Sequence, residues 1–180
     1  MSLSDGRRGH ADETRAARIA DIVRRESGSL LDYFARRTSS REDAADLLGD
    51  TLVIVWRRER AVPEDAAEAR MWMFGVARRV LSQHRRSSGR RLALSERLGH
   101  YLRDSERPPE SAETGDVRAA IAQLNEGDQE IIRLVYWDGF TLAEVAQLLA
   151  MNPATVRSRH ARARIRLQGL LTPAVGEEVR

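Results

Sequence analysis

The sequence predicts an all-α protein made of two small helical domains joined by a flexible linker. Apolar residues recur at helical spacing along most of the chain, and the alternation typical of strands is nearly absent. The composition changes at "SSGRR", and serine, glycine and proline are frequent in "SERPPESAETGD", with room for a short helix near 92–102 between the two stretches. We therefore predict a loose N-terminal segment 1–14, a helical domain 15–88, a linker 89–116, a second helical domain 117–172 and a tail 173–180.

The composition restricts the kinds of partner and chemistry. The 180 residues carry a net charge of +3, and every basic residue apart from the histidines is an arginine. Arginine offers a planar fork that suits phosphates and guanine edges, although a GC-rich genome explains the lack of lysine equally well. Without cysteine, the chain has no disulfide, thiolate zinc site or cysteine nucleophile. We expect a cytoplasmic protein with no signal peptide and no membrane insertion.

Three helices are predicted in the first domain. The first spans about 15–37, and the second spans about 41–58 with Ser39 or Ser40 as its N-cap. Pro63 interrupts the chain before the third helix, which begins with acidic residues and extends to about residue 86. These helices are the expected core of the domain.

The second helix has one face for packing and one for solvent or a partner. Helical spacing places Ala45, Leu48, Leu52 and Val55 together. The opposite face carries Asp46, Asp50, Val53 and Arg57. This acidic face fits a binding role, although a solvated helix would show the same pattern.

The end of the third helix is strongly basic. The stretch "GVARRVLSQHRRSSGRR" contains six arginines and no acid. One face combines Gly75, Arg78, Arg79, Ser82 and Arg86. Trp72 and Phe74 come just before it, and aromatic rings beside cations suit unpaired nucleic-acid bases. A core position for Trp72 remains an open alternative, and His84 on the apolar side is more typical of a packed histidine than of a metal ligand.

The second domain ends in two short helices with a tight turn, "FTLAEVAQLLAMNPATVRSRHARARIRL". The first of them has the apolar stripe Leu142, Val145, Ala146 and Leu149. Asn152 is the predicted N-cap of the second, and Pro153 occupies its first helical position. This pattern is a helix-turn-helix.

The last helix combines an apolar back with an arginine-rich front. Val156, Ala163, Leu167 and Leu170 share one side. Thr155, Ser158, Arg159, Arg162 and Arg166 share the other. In a helix-turn-helix such a front enters the DNA major groove, so the pattern predicts DNA binding. Which arginines contact bases and which contact phosphates stays open.

Taken together, these segments resemble the extracytoplasmic-function group of bacterial RNA polymerase sigma factors. "DAADLLGDTLVIVWRR" resembles the helix of this family that binds core polymerase, and "ARMWMFGVARRVLSQHRR" resembles its minus-10 helix. The segment from "IAQLNEGDQ" to "RARIRL" resembles its minus-35 domain. The resemblance covers about 19–86 and 121–171. It implies regions 2 and 4, core RNA polymerase and promoter DNA as partners, an anti-sigma factor as inhibitor, and no catalysis, cofactor, metal or small-molecule substrate.

The resemblance also implies roles for individual residues. The residues matching the polymerase-binding helix are Asp46, Leu47, Asp50 and Arg57. Those matching the minus-10 segment are Trp72, Arg78, Arg79, Gln83 and Arg86. Those matching the minus-35 helix are Thr155, Arg157, Ser158, Arg159 and Arg162, and Arg166 lies on the same predicted face.

Five departures from the usual family pattern affect these roles. Gly49 replaces a frequent glutamine in the polymerase-binding helix and lowers its helix propensity. Arg79 and Gln83 replace a usual asparagine and a common aspartate, which puts the minus-10 preference in question. Ala150 replaces the usual turn glycine. His160 replaces an apolar residue at the back of the last helix, where we expect looser packing.

Three other functions remain open on the sequence. A helix-turn-helix regulator would bind duplex DNA tightly without polymerase. A helical adaptor would bind only proteins and would tolerate Arg159→Ala. A nucleic-acid enzyme would need an acidic cluster beside the basic faces, and the sequence offers none in a plausible position.

Overall fold

A computed structural model of the chain describes residues 3–98 and 112–172, with side-chain surroundings given for 13–88 and 116–172. The chain divides into two compact units, within residues 1–107 and 108–180. All regular structure in the described ranges is helical. The predicted all-α class with two helical domains is confirmed.

The first unit has three long helices, α1 (Leu3–Ala35), α2 (Arg41–Arg57) and α3 (Ala66–Leu98), with a 3₁₀ turn at Glu59–Ala61. Ser40 is the N-cap of α2, where its side chain accepts a hydrogen bond from the Asp43 amide. This confirms one of the two predicted capping serines.

Two predicted boundaries of the first unit were wrong. The segment 1–14, expected to be loose, is helical from Leu3. The third helix continues twelve residues past Arg86, to Leu98, through the first part of the predicted linker. The second extension is rich in Arg, Ala, Leu and Glu, which favour helix, and isolated glycines cost only about 1 kcal/mol each. Residues 99–111 of the predicted linker and the tail 173–180 lie outside the described residues, and residues 112–116, also predicted as linker, are helical.

The core of the first unit is built on three aromatic rings. Tyr33 packs edge-on against Phe34 and Phe74, with ring centroids 5.3 and 5.5 Å apart, and all three residues are buried. The Arg37 guanidinium lies 3.8 Å from the Tyr33 ring centroid and is itself buried. This core fixes α3 against α1.

The buried face of α2 differs from the predicted one. Its buried residues are Ala44, Leu47, Thr51 and Val55. Ala45 is exposed, and Leu48 and Leu52 are half-buried. Thr51 can be buried because its hydroxyl donates a hydrogen bond of 2.8 Å to the Leu47 carbonyl. Because Thr51 is polar, the apolar pattern did not identify its position as part of the core, and the buried face was predicted wrongly.

The second unit has four helices, α4 (Ala112–Ala122), α5 (Glu126–Tyr136), α6 (Leu142–Leu149) and α7 (Pro153–Leu171). Helices α4 and α5 are separated at the N-cap Asn125, whose side chain accepts the Asp128 amide at 3.0 Å. Gln129 secures the break by donating to the Leu124 carbonyl at 2.8 Å.

Helix α7 packs against α4, α5 and α6. Only Val156 and Ala163 of α7 are buried. Leu167 adds a half-buried contact to the cluster of Ile121, Leu124, Ile132 and Ala163. Leu170, predicted for the apolar side, is exposed, so the apolar seam is shorter than expected.

The turn between α6 and α7 confirms the helix-turn-helix. The Met151 amide donates to the Ala146 carbonyl at 2.9 Å and the Ala150 amide donates to Gln147 at 3.1 Å, which is a Schellman motif. Ala150 takes the left-handed conformation at φ 51° that this motif requires. Asn152 caps α7 by accepting the Ala154 amide at 2.8 Å.

We expect Ala150→Gly to raise the free energy of unfolding of the second unit by about 1 kcal/mol, because glycine adopts the left-handed conformation without steric cost. The matched control is Ala154→Gly, an exposed alanine in the first turn of α7, which should lower it by about 0.5–1 kcal/mol. Native-state hydrogen exchange of α6 amides measures both. Equal or lower protection in Ala150→Gly than in the wild type would contradict the assigned strain.

Candidate nucleic-acid interface

The solvent side of α7 is an exposed cationic surface that extends beyond the predicted front. Arg157, Arg162, Arg164 and Arg166 are exposed, as are Thr155 and Ser158. The helix contains no acidic residue. Its predicted DNA-facing residues are therefore brought together on the solvent side, with the exception of one arginine.

Arg159 points toward α5 instead of standing in solvent. Its Nε donates to Asp128 Oδ1 at 2.6 Å, and its Nη2 donates to Asn125 Oδ1 at 2.7 Å. Its side chain is only 27% exposed and that of Asp128 only 16%. Two of its five N–H donors are therefore engaged within the domain.

An open groove runs between α7 and the start of α5, with a volume of about 490 Å³. Arg162 and Arg166 lie on its α7 wall beside Arg159, and Leu124, Asn125 and Asp128 line the other side. Two of its three arginines are exposed to solvent. The groove can therefore receive an anionic group.

Helix α3 presents the second cationic surface. Arg78, Arg79, Gln83 and Arg86 are exposed, whereas Trp72 is half-buried. The opposite face packs Met73, Ala77 and Val80 into the core. The helix thus separates a basic front from an apolar back, as the spacing indicated.

Helix α2 exposes acidic and apolar groups side by side. Asp46, Asp50 and Arg57 are exposed, but Leu47 is 3% exposed and packs in the core. We therefore correct the assignment of Leu47 to a partner-binding surface. Val53 and Trp56 are 48% and 41% exposed. Trp56 was missed, although its position three residues after Val53 places the two on one face.

His160 is the unusual residue at the back of α7. It is half-buried and stacks on Tyr136, with ring centroids 5.7 Å apart. Its Nε2 is buried without a hydrogen-bond partner. Burial, and secondarily the charge of Arg164, lowers the pKa of His160 below the ordinary 6.5.

The described residues form neither a metal-ligand cluster nor a membrane-spanning helix. Within the described ranges, no three metal-ligating side chains come together. No described helix is both long and apolar enough to cross a bilayer.

Models of two sigma-70 domains match the chain. The model of sigma-70 region 2 matches residues 22–91, which include α2 and most of α3. The model of sigma-70 region 4 matches residues 114–167, which include the helix-turn-helix. Together they cover both units in chain order.

Curated relatives carry the same type of name. An ECF RNA polymerase sigma factor, SigL of Mycobacterium tuberculosis, is 27% identical over 158 residues, covering 83% of this chain and 86% of the relative. BldN of Streptomyces coelicolor, also an ECF sigma factor, is 25% identical over 85% of this chain and 66% of its own length. SigK of Mycolicibacterium vanbaalenii is 33% identical over 61% of this chain and 59% of its own length.

Solved structures have a similar fold. The sigma factor RpoE of Bartonella quintana, solved with the anti-sigma factor NepR, matches with a TM-score of 0.71 at 24% identity, covering 86% of this chain and 97% of that one. CnrH, solved with the cytosolic domain of CnrY, matches at 0.59 and 22% identity, covering 85% and 86%.

Two helical units that match promoter-binding domains, each with an exposed arginine-rich face, define a transcription initiation factor. The chain belongs to the sigma-70 family, within the extracytoplasmic-function group of bacterial RNA polymerase sigma factors. The resemblance seen in the sequence is confirmed.

We expect the free energy of unfolding of the second unit to fall as the pH drops from about 7.5 to 5, because the unfolded chain then binds more protons at His160 than the folded one does. His160→Leu should remove this dependence and stabilise the unit by about 1 kcal/mol, since the buried Nε2 has no partner. Urea unfolding at several pH values measures both effects.

Arg164→Gln is the control for this prediction, because it removes only the secondary cause of the lowered pKa. It should weaken the pH dependence without abolishing it. An unchanged slope in His160→Leu would contradict the account.

Proposed function

We propose that this alternative sigma factor divides its work among three helices: α2 binds core polymerase, α3 captures the minus-10 element and α7 reads the minus-35 element. The observation that carries the proposal is that α3 and α7, in the two matched domains, each present an exposed arginine face opposite a buried one. Helix α2 exposes acidic and apolar groups instead, which suits a protein partner.

Helix α7 is suited to enter the major groove. A helix about 10–12 Å across fits a groove about 12 Å wide. Thr155, Arg157, Ser158, Arg162 and Arg166 then face base edges and phosphates, and each good bidentate pair between arginine and guanine contributes about 1–3 kcal/mol of discrimination. Mutual repulsion of like charges on the helix is only a few tenths of a kcal/mol per pair, so the polyanion easily offsets it.

Helix α3 is suited to capture unpaired bases. Extruding a base costs a few kcal/mol. Stacking on an aromatic ring returns about 1–3 kcal/mol, and Trp72 is half-buried with part of its ring accessible. Arg78, Arg79 and Arg86 would neutralise the adjoining phosphates, and Gln83 would contact base edges.

Helix α2 is suited to bind a protein surface of opposite charge. Asp46 and Asp50 supply negative charge, and Val53 and Trp56 add exposed apolar area beside them. Exposed tryptophans are enriched among residues that dominate interface energies. We therefore add Trp56 to Asp46, Asp50 and Arg57 as a polymerase contact.

Two further features of the proposal follow from family membership. We infer that an anti-sigma factor holds the protein inactive, since RpoE, which shares its fold, was solved with the anti-sigma factor NepR. We also infer that the chain acts in the cytoplasm and makes no bond itself, with catalysis left to polymerase. The helix-turn-helix regulator is not favoured, because region 2 precedes region 4 along the chain.

We expect the purified protein with core polymerase to start transcription at discrete sites in a run-off assay on a pool of genomic templates. Arg157→Ala should lower initiation about tenfold by removing a groove contact. Arg24→Ala, an equal charge change on an exposed residue of α1, should leave initiation unchanged. The proposal is contradicted if the wild-type protein adds no initiation on any template.

We expect Asp50→Arg to weaken binding to core polymerase roughly tenfold, because a reversed charge in the interface repels its partner. Asp21→Arg reverses a charge that is 62% exposed on α1 and serves as the control. Fluorescence anisotropy of labelled protein titrated with core enzyme measures both. Equal affinity of the two variants would place the polymerase interface elsewhere.

A further inference from the structure

We propose that Arg159 is a positioning residue that fixes the rotation of α7 about its own axis, and that it does not itself contact promoter DNA. This inference rests on the proposed role of α7 as the minus-35 reader. It assigns Asn125, Gly127 and Asp128, at the start of α5, the role of a seat for the Arg159 guanidinium.

The seat is a closed hydrogen-bond network. Asp128 accepts Arg159 Nε at 2.6 Å through Oδ1 and Asn125 Nδ2 at 2.6 Å through Oδ2. Asn125 Oδ1 accepts both Arg159 Nη2 at 2.7 Å and the Asp128 amide at 3.0 Å. The same asparagine therefore caps α5 and holds the arginine, so the position of the guanidinium is tied to the helix end.

Gly127 completes the seat by its lack of a side chain. A Cβ built at this position would lie 2.6 Å from Arg159 Nη2 and 3.1 Å from Cζ and Nη1. The guanidinium thus lies close over the backbone of the first turn of α5. The φ of Gly127 is not in the left-handed region, so this close approach is the structural reason for the glycine.

Helix α7 needs such a contact because its apolar seam is narrow. Val156 and Ala163, its two buried residues, lie almost in one line along the helix, and Arg159 projects about 50° to one side of that line at 100° per residue. Half-buried Leu167 and His160 add contacts on the far side of this line, so Arg159 supplies the contact on the near side. At the helix surface, a turn of 20° moves a side chain by about 2 Å, which exceeds the tolerance of a bidentate hydrogen bond.

Arg159 differs from the neighbouring arginines of α7 in its exposure and its hydrogen-bond partners. Arg157, Arg162 and Arg166 are exposed and make no ion pair within the described residues, so their donors are available to DNA. Arg159 would have to leave two short charge-assisted bonds to turn its whole guanidinium toward a phosphate, as its neighbours can. The chain therefore keeps one arginine of α7 for its own structure.

The test compares Asp128→Asn, Arg159→Gln and the double variant in holoenzyme bound to a promoter recovered by run-off mapping. A positioning role predicts that each single variant weakens binding about tenfold and that the double variant is no worse, because all three break one contact. Discrimination should also relax at several minus-35 base pairs at once. Glu126→Gln removes an exposed acid from the same first turn and should change nothing.

If Arg159 contacts DNA, Arg159→Gln weakens binding but Asp128→Asn leaves it equal or stronger, and the proposal is overturned. Equal binding by all variants also overturns it. Failure of the wild type to initiate anywhere would instead refute the proposed function.

Gly127→Ala is a second, independent variant that keeps every charge. The added methyl group displaces the guanidinium, which is the flexible end of its side chain, so the fold should keep its melting temperature. Weaker and less selective promoter binding with an unchanged melting temperature supports the seat. Unchanged or stronger binding contradicts it.

Discussion

The second domain has to hold an arginine-rich helix in a fixed position with very little buried apolar surface. Of the nineteen residues of α7, only Val156 and Ala163 are buried. The five arginines on the same helix are more stable in contact with solvent or an anion than in the core, so they add nothing to its packing. The ion pair between Arg159 and Asp128 adds a directional contact on the side of α7 opposite to Leu167 and His160. The cationic front is therefore aimed by a polar contact as well as by packing.

The first domain meets the same requirement with a larger core. Helices α1 and α3 meet around Tyr33, Phe34 and Phe74, and this aromatic contact fixes α3 so that its basic face stays in solvent. Arg18 fastens the loop before α3 by donating to the Pro63 carbonyl at 2.7 Å. Glu26 pairs with Arg70 at 3.1 Å between α1 and α3. A binding helix can thus carry many like charges when its back is anchored by neighbours.

Much of this organisation could be predicted from the sequence, because helix signals are local. Ser40, Asn152 and Pro153 mark helix starts through contacts within three residues, and all three took their expected positions. The end of α3 could not be predicted, since the two serines and Gly89 that follow Arg86 are typical of a helix end, yet the helix continues through them. The burial of Thr51 could not be predicted either. Its hydroxyl donates to a carbonyl of its own helix, which allows a polar side chain to be buried.

The role of Arg159 lay beyond sequence reasoning for a different reason. Helical spacing places it on the front with Arg162 and Arg166, but the spacing contains no information on Asp128, which is 31 residues away. The sequence did contain one signal, the glycine and aspartate in the first turn of α5, where an asparagine cap already suffices. The tertiary contact explains the glycine and gives Asp128 a second role beside that of an acid in the first turn of a helix.

The most direct measurement of the central claim is methylation interference at guanine N7 in the upstream promoter element bound by holoenzyme. If the front of α7 lies in the major groove, methylation of one or more guanines there blocks binding, and Arg157→Ala or Arg162→Ala reduces that sensitivity. If methylation interferes with binding only in the melted region, and methylation of the upstream guanines has no effect, then α7 does not contact bases in the major groove.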